Sequence, residues 1–178
     1  MHHISDTLER LGAHTHKSNV NTHNIMLQPG TQAPRFEGTD EDGNIVRLDD
    51  FAGKKLVLYF YPKDSTPGCT SEARDFAALY EDFRAAGCEV LGVSRDSLKA
   101  HENFRTKNAL PFALLSDRDE AACTAYGVIK LKKLYGKEVR GIERSTFLID
   151  GQGNIVREWR GVKVAGHAQE VLEAVRAL

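Results

Sequence analysis

The sequence predicts an α/β sandwich, a central mixed sheet flanked by helices, and three observations carry that reading. The run Leu56 to Tyr61 is apolar on both faces, as in a strand covered from both sides. Helical spacing follows it closely: Ala73, Phe76, Ala77, Leu79, Tyr80 and Phe83 fall on one face, and Gly87 closes the element. Strand-like and helix-like stretches then alternate before a hairpin and a last helix, as layered α/β folds require.

Each element has its own signal. Residues 1–25 are polar and hold His2, His3, His14, His16 and His23, five of the seven histidines. A metal site is one reading of them. Without cysteine partners or a fixed coordination face, a disordered extension is the expectation, with a short helix at Ser5 to Leu11. Residues 26–178 form the expected folded domain. Phe36 lies in a short strand, Asp40 to Asn44 turns by its Asp-Gly, and Ile45 to Leu48 returns. Leu48 to Phe51 makes one helical turn before the central strand, Lys55 to Tyr61. One long helix is expected over 67–86, then a strand at Cys88 to Val93. Ser97 caps a helix over Leu98 to Asn108, Phe112 to Leu115 is extended, and Asp117 to Tyr126 is helical up to Gly127. Residues 128–140 read as an irregular basic loop. Ser145 to Ile149 and Ile155 to Trp159 pair across Asp150-Gly151-Gln152-Gly153, and Gly166 to Ala177 is an amphipathic closing helix.

Composition narrows the function. The 178 residues are 41% hydrophobic with a net charge of −1, which leaves no broad electrostatic footprint for nucleic acid or an anionic membrane. No apolar run approaches the roughly 18 residues of a bilayer span, and no signal-peptide core opens the chain. Three cysteines without C-x-x-C fit a reducing cytoplasm better than a disulfide framework.

The chemistry concentrates in Tyr59-Phe60-Tyr61-Pro62-Lys63-Asp64-Ser65-Thr66-Pro67-Gly68-Cys69-Thr70. A strand runs into a polar loop, and the loop opens a helix. Thr66 is suited to the N-cap and Pro67 to the first helical position, which puts Cys69 third in the helix. Free amides and the positive dipole end surround the sulfur there and favour thiolate over thiol. A small cysteine filling a strand–helix junction is the plain alternative. A helix springing from a central strand with a cysteine at its N-terminus matches the thioredoxin architecture.

Pro62, Thr66 and Cys69 form P-x-x-x-T-x-x-C, and the stretch resembles the active-site signature of the peroxiredoxins. YFYPKDSTPGCTSE and the second motif Gly141-Ile142-Glu143-Arg144-Ser145-Thr146-Phe147-Leu148-Ile149-Asp150 are similar to the bacterioferritin-comigratory or Prx Q branch, over about residues 26–178. The resemblance implies a thioredoxin-like fold with an N-terminal extension and a thiol-dependent peroxidase acting on hydrogen peroxide or organic hydroperoxides. Cys69 would attack and become a sulfenic acid. Thr66 would bond a peroxide oxygen, Pro62 would shield the pocket, and Arg144 would supply fixed positive charge, with Glu72 orienting Arg144. No cofactor or metal is implied, and a monomer is favoured.

In that branch a resolving cysteine stands five residues after the nucleophile or in the following helix. Here those positions are Arg74 and Arg105. Cys88 and Cys123 read as core, so a one-cysteine mechanism is expected, with an external thiol from glutathione, glutaredoxin or thioredoxin. Two rivals remain open. A thioredoxin-like disulfide oxidoreductase would want a second cysteine in Cys69-Thr70-Ser71-Glu72. A peroxide-sensing redox regulator would be oxidised stoichiometrically and dock a partner through its basic stretch.

Overall fold

A computed structural model describes residues 29–178, so the expected extension, its histidines and its short helix lie outside the described residues. Among the described residues, nine strands and five helices follow in order: β1 Glu37–Thr39, β2 Ile45–Arg47, β3 Lys55–Phe60, α1 Pro67–Ala78, α2 Tyr80–Ala85, β4 Cys88–Ser94, α3 Leu98–Asn108, β5 Ala113–Ser116, α4 Ala121–Ala125, β6 Ile129–Leu134, β7 Lys137–Ile142, β8 Ser145–Ile149, β9 Ile155–Arg160 and α5 His167–Arg176. A 3₁₀ turn, Leu48–Phe51, precedes β3.

Seven strands make one mixed sheet in the order β2-β1-β5-β4-β3-β8-β9. The β5-β4-β3 block is parallel, β8 runs antiparallel to β3 and β9 antiparallel to β8, so β3 is interior. Alternation along β3 builds two cores. Val57, Tyr59 and Tyr61 face a layer with Phe76, Phe83, Phe104, Leu172 and Val175 from α1, α2, α3 and α5. Leu56, Leu58 and Phe60 face the opposite layer with Cys123, Tyr126 and Phe147. Every residue from Leu56 to Phe60 has no exposed surface, which accounts for the unbroken apolar run.

The secondary-structure elements depart from the sequence reading in four places. Phe36 packs in the core one residue before β1 rather than within it. The helix expected over 67–86 breaks at Leu79 (φ −101°, ψ 3°), and the break re-aims α2 so that Tyr80 and Phe83 enter the core and the Tyr80 hydroxyl donates to Glu89 at 2.6 Å. α4 starts only at Ala121, because the Asp117 carboxylate accepts from the amides of Ala122 (3.0 Å) and Cys123 (2.8 Å) and caps the helix from a distance. Residues 129–142 are not irregular: β6 and β7 pair with each other as a separate two-stranded ribbon across Tyr135-Gly136.

Candidate active site

The site grows from the end of β3. The Tyr61 amide still donates to Val93 at 3.0 Å, and the chain then leaves the sheet through exposed Pro62. Ser65 takes a left-handed φ of 60°, which swings Thr66 into the N-cap of α1 with Pro67 at the first position. The Thr66 hydroxyl does not cap the helix as expected. It donates to the Lys63 carbonyl at 2.7 Å, closing the loop on itself and keeping its lone pairs as acceptors.

Cys69 lies in the first turn, 2% exposed. Arg144 comes to it from the short segment between β7 and β8, whose backbone is held where Val162 donates to the Arg144 carbonyl at 3.0 Å. One terminal nitrogen, Nη2, stands 3.5 Å from the Cys69 sulfur, and Nη1 donates to Glu72 Oε1 at 2.8 Å. Gly68 makes room for this approach: a Cβ there would sit 3.1 Å from Arg144 Nη2. Three of the expected site residues, Cys69, Glu72 and Arg144, are therefore in direct chain. Thr66 flanks them on the same turn, and Pro62 lies on the exposed side of the loop.

Glu72 is 1% exposed, and its second oxygen has no hydrogen-bond partner among the described residues. Burial pushes its carboxyl up to about 7, against the opposing pull of Arg144. The guanidinium is itself held above its ordinary range: burial works against its charge, and Glu72 and Cys69 outweigh the burial. The cation is thus retained over any ordinary pH, beside a carboxylate that gains its proton near neutrality.

Sequence reasoning missed the groups that anchor the loop. Asp64 is buried, and its carboxylate receives the Tyr61 hydroxyl at 2.6 Å on Oδ1 and faces His101 Nδ1 at 2.6 Å on Oδ2. The other ring nitrogen of His101 donates to the Leu115 carbonyl at 2.9 Å, which fixes the ring with Nδ1 facing the Asp64 carboxylate. The Asp64 amide donates to Asp96 Oδ2 at 2.9 Å, and Ser94 donates to the same oxygen at 2.6 Å. For His101, burial disfavours the cation but Asp64 prevails, and its pKa is raised. Asp64, Asp96 and His101 have ligand-type atoms within 4.8 Å of one another, close enough to gather a cation. Their hydrogen bonds account for that closeness without one. A lone histidine on a helix, 37 residues from the aspartate it meets, carried no local signal.

All three cysteines are free and buried. Cys123 belongs to the core on the opposite face of the sheet from Cys69. Cys88 shares the Cys69 core but pairs with Lys55 at the far end of the parallel β3–β4 ladder, while Phe60 and Val93 pair at the site end. Five strand residues separate those ends, about 16 Å. Burial pushes the Cys88 thiol up to about 12 and the Cys123 thiol well above its ordinary range. Arg105 forms an ion pair with buried Glu41 and donates to Leu110 at 3.1 Å, and Arg74 donates to Asn108 at 3.0 Å.

Comparison with known proteins gives the family. The AhpC/TSA family matches residues 29–158. Peroxiredoxin Bcp of Xanthomonas campestris is 58% identical over 135 residues, covering 76% of this chain and 84% of the relative. Peroxiredoxin Bcp of Bacillus subtilis is 48% identical over 152 residues, 85% of this chain and 97% of the relative. Among solved structures, peroxiredoxin Q of Xanthomonas campestris superimposes with a TM-score of 0.78 at 55% identity, over 80% of this chain and 90% of that one. A trapped intermediate/ligand complex of the bacterioferritin comigratory protein from the same organism, described for its alkyl peroxide reduction activity, gives a TM-score of 0.77 at 54% identity with the same coverage. With a cysteine at the start of α1, an arginine against its sulfur and these relatives along most of its length, the chain belongs to the AhpC/TSA family of peroxiredoxins.

Proposed function

We infer that the protein is a thiol-dependent peroxidase whose peroxidatic residue is Cys69. The observation that carries this reading is Arg144, held by Glu72 with its other nitrogen 3.5 Å from the sulfur. The Cys69 thiolate attacks one oxygen of H₂O₂ or an organic hydroperoxide. An S–O bond forms, the O–O bond breaks, and the second oxygen leaves as water or alcohol after taking a proton. Arg144 and the amides of the first turn of α1 stabilise negative charge as that bond breaks. The Thr66 hydroxyl, whose proton is engaged by Lys63, accepts a hydrogen bond from the peroxide O–H. Pro62 covers the entrance.

The resulting sulfenic acid is resolved by an external thiol. That thiol's sulfur displaces the sulfenic oxygen as water to give a mixed disulfide, and a second thiol then releases Cys69. The one-cysteine reading is supported by the distance to Cys88, by the sheet between Cys69 and Cys123, and by the structural engagement of Arg74 and Arg105. The Xanthomonas relative has been solved with either of two cysteines replaced by serine, thirty-six residues apart, and the same step from Cys69 falls on Arg105. The reductant is a glutathione-, glutaredoxin- or thioredoxin-type thiol. Free thiols fit a cytoplasmic setting, and among the described residues no helix is long and apolar enough to cross a membrane.

The test is intact-mass and peptide analysis after one equivalent of peroxide. Sulfenic acid on Cys69, or its mixed disulfide with added thiol, is expected, and Cys69→Ser should lose turnover with dithiothreitol. A major Cys69–Cys88 or Cys69–Cys123 bridge would overturn the one-cysteine mechanism. Sustained turnover by Cys69→Ser would overturn the nucleophile.

A further inference from the structure

The β6–β7 ribbon carries surface chemistry that peroxide reduction does not use. Leu131, Leu134, Tyr135 and Val139, four of the seven exposed large hydrophobic side chains among the described residues, are on it, with Tyr135 fully exposed at the tip. The register places Lys130 opposite Gly141, Lys132 opposite Val139 and Leu134 opposite Lys137. Directly opposed residues share a face, so one face presents Lys130, Lys132 and Lys137 around Leu134 and Val139. The ribbon as a whole holds five cations (Lys130, Lys132, Lys133, Lys137 and Arg140) against Glu138 alone, in a chain with 24 basic and 25 acidic residues. The rest of the molecule is therefore net acidic, and the positive charge is local.

Lysines on an unpaired ribbon guard its edges against aggregation. That role accounts for the lysines but not for the two large apolar groups, Leu134 and Val139, set among them on this face in water. Such a face, an apolar centre with a cationic rim, is complementary to a protein surface with apolar side chains and carboxylates. A second copy of this chain would bring two cationic ribbons together. A nucleic acid would need a longer track of phosphate contacts than three lysines provide.

The ribbon's place in the fold names the partner. Its base is fixed where Glu143 donates to Val128 (2.7 Å) and Arg95 donates to the Arg140 carbonyl (3.3 Å), and Arg144 follows two residues after β7 ends. Extended chain from there to the tip spans about 25 Å, close to the diameter of a small domain. We propose that this cationic, apolar face of the β6–β7 ribbon docks the acidic dithiol protein that reduces oxidised Cys69, an inference that rests on the peroxidatic reading of Cys69. One partner thiol displaces the sulfenic oxygen as water, the other attacks the mixed disulfide, and the partner leaves as its disulfide with Cys69 restored to a thiol. Cys69 is buried, so its first turn must open to the partner. Contacts on the ribbon hold the partner nearby while that happens, raising its effective concentration.

The experiment uses the full chain and the double variant Lys132→Glu/Lys137→Glu, with Leu134→Ser as a second probe. Peroxide turnover is measured with dithiothreitol and, separately, with a reduced thioredoxin of acidic isoelectric point, at low and at physiological salt. Dithiothreitol turnover should be unchanged in both variants. With thioredoxin, kcat/KM should fall by about tenfold or more, and the salt sensitivity of the parent should flatten in the double variant. Absence of dithiothreitol turnover in the parent would count against the peroxidase itself. With that turnover intact, the docking inference is overturned by no thioredoxin turnover in the parent, or by a double variant within twofold of it. Sedimentation showing a parent dimer that the variants split would also overturn it, assigning the face to a second copy.

Discussion

Replacing Glu72 with glutamine isolates the effect of burying a carboxylate beside Arg144. The wild-type carboxyl has its folded pKa raised from 4.5 to about 7, chiefly by burial. The folded protein therefore binds more protons than the unfolded chain between those values. Stability must fall as pH rises from about 4.5 through 7, and the full cost is present above 7. A shift of that size corresponds to about 3 kcal/mol, on the order-of-magnitude scale of 1.4 kcal/mol per unit. Glutamine does not titrate, so Glu72→Gln escapes this loss. The constant cost of weakening the contact to Arg144 Nη1 cancels when two pH values are compared. Urea denaturation of both proteins at pH 5 and pH 8 should show the stability difference moving in the variant's favour by about 2–3 kcal/mol. The variant should also oxidise more slowly, because the guanidinium loses the charge that steers it. A change below about 0.5 kcal/mol between the two pH values would refute the reasoning, since no burial cost would then attach to ionised Glu72.

Three further outcomes follow from the same geometry. Arg144→Ala should slow Cys69 oxidation by about 10²-fold or more, the scale of losing one donor to developing charge, and stopped-flow rates within twofold of the parent would place this arginine outside the reaction. Thr66→Val should lose both the acceptor and the 2.7 Å bond to Lys63, slowing oxidation and lowering stability by about 1 kcal/mol, while Thr66→Ser keeps most of both; equal rates for the two would remove the hydroxyl from the mechanism. Asp64→Ala strips His101 of its buried partner and should destabilise the fold by about 3 kcal/mol in chemical denaturation. Because the folded pKa of His101 is raised, that loss should be full below about pH 6.5 and shrink as pH rises through the folded value; a pH-independent loss would contradict the assignment.

What was legible in the sequence was what local chemistry decides. The unbroken apolar run of β3, proline at the first position of α1 and the Asp-led turns at Asp40 and Asp150 all act within a few residues. Each stands where it was read. The Cys69–Arg144 contact spans 75 residues, and only the resemblance carried it. The Leu79 break was hidden because Tyr80 and Phe83 keep helical spacing, and only the position of β4 requires the second helix to turn. The ribbon escaped because the order Ile129-Lys130-Leu131-Lys132-Lys133-Leu134 loses its alternation midway, and only its base, the opposed Ile129 and Ile142, packs on the core, so nothing enforces an alternation farther out. Thr66 was placed correctly but its hydroxyl points its proton the other way, a choice set by the nearby Lys63 carbonyl.

The two cysteines outside the site sit on opposite faces of the sheet, Cys88 at 3% and Cys123 at 0% exposure. The fold thereby holds a native reporter in each of its layers. A thiol reagent can reach Cys88 only when the α1/α2/α5 layer lifts, and Cys123 only when the α4 side does. In a Cys69→Ser background, the two alkylation rates read out, without any added label, whether the layers peel apart singly or come loose together.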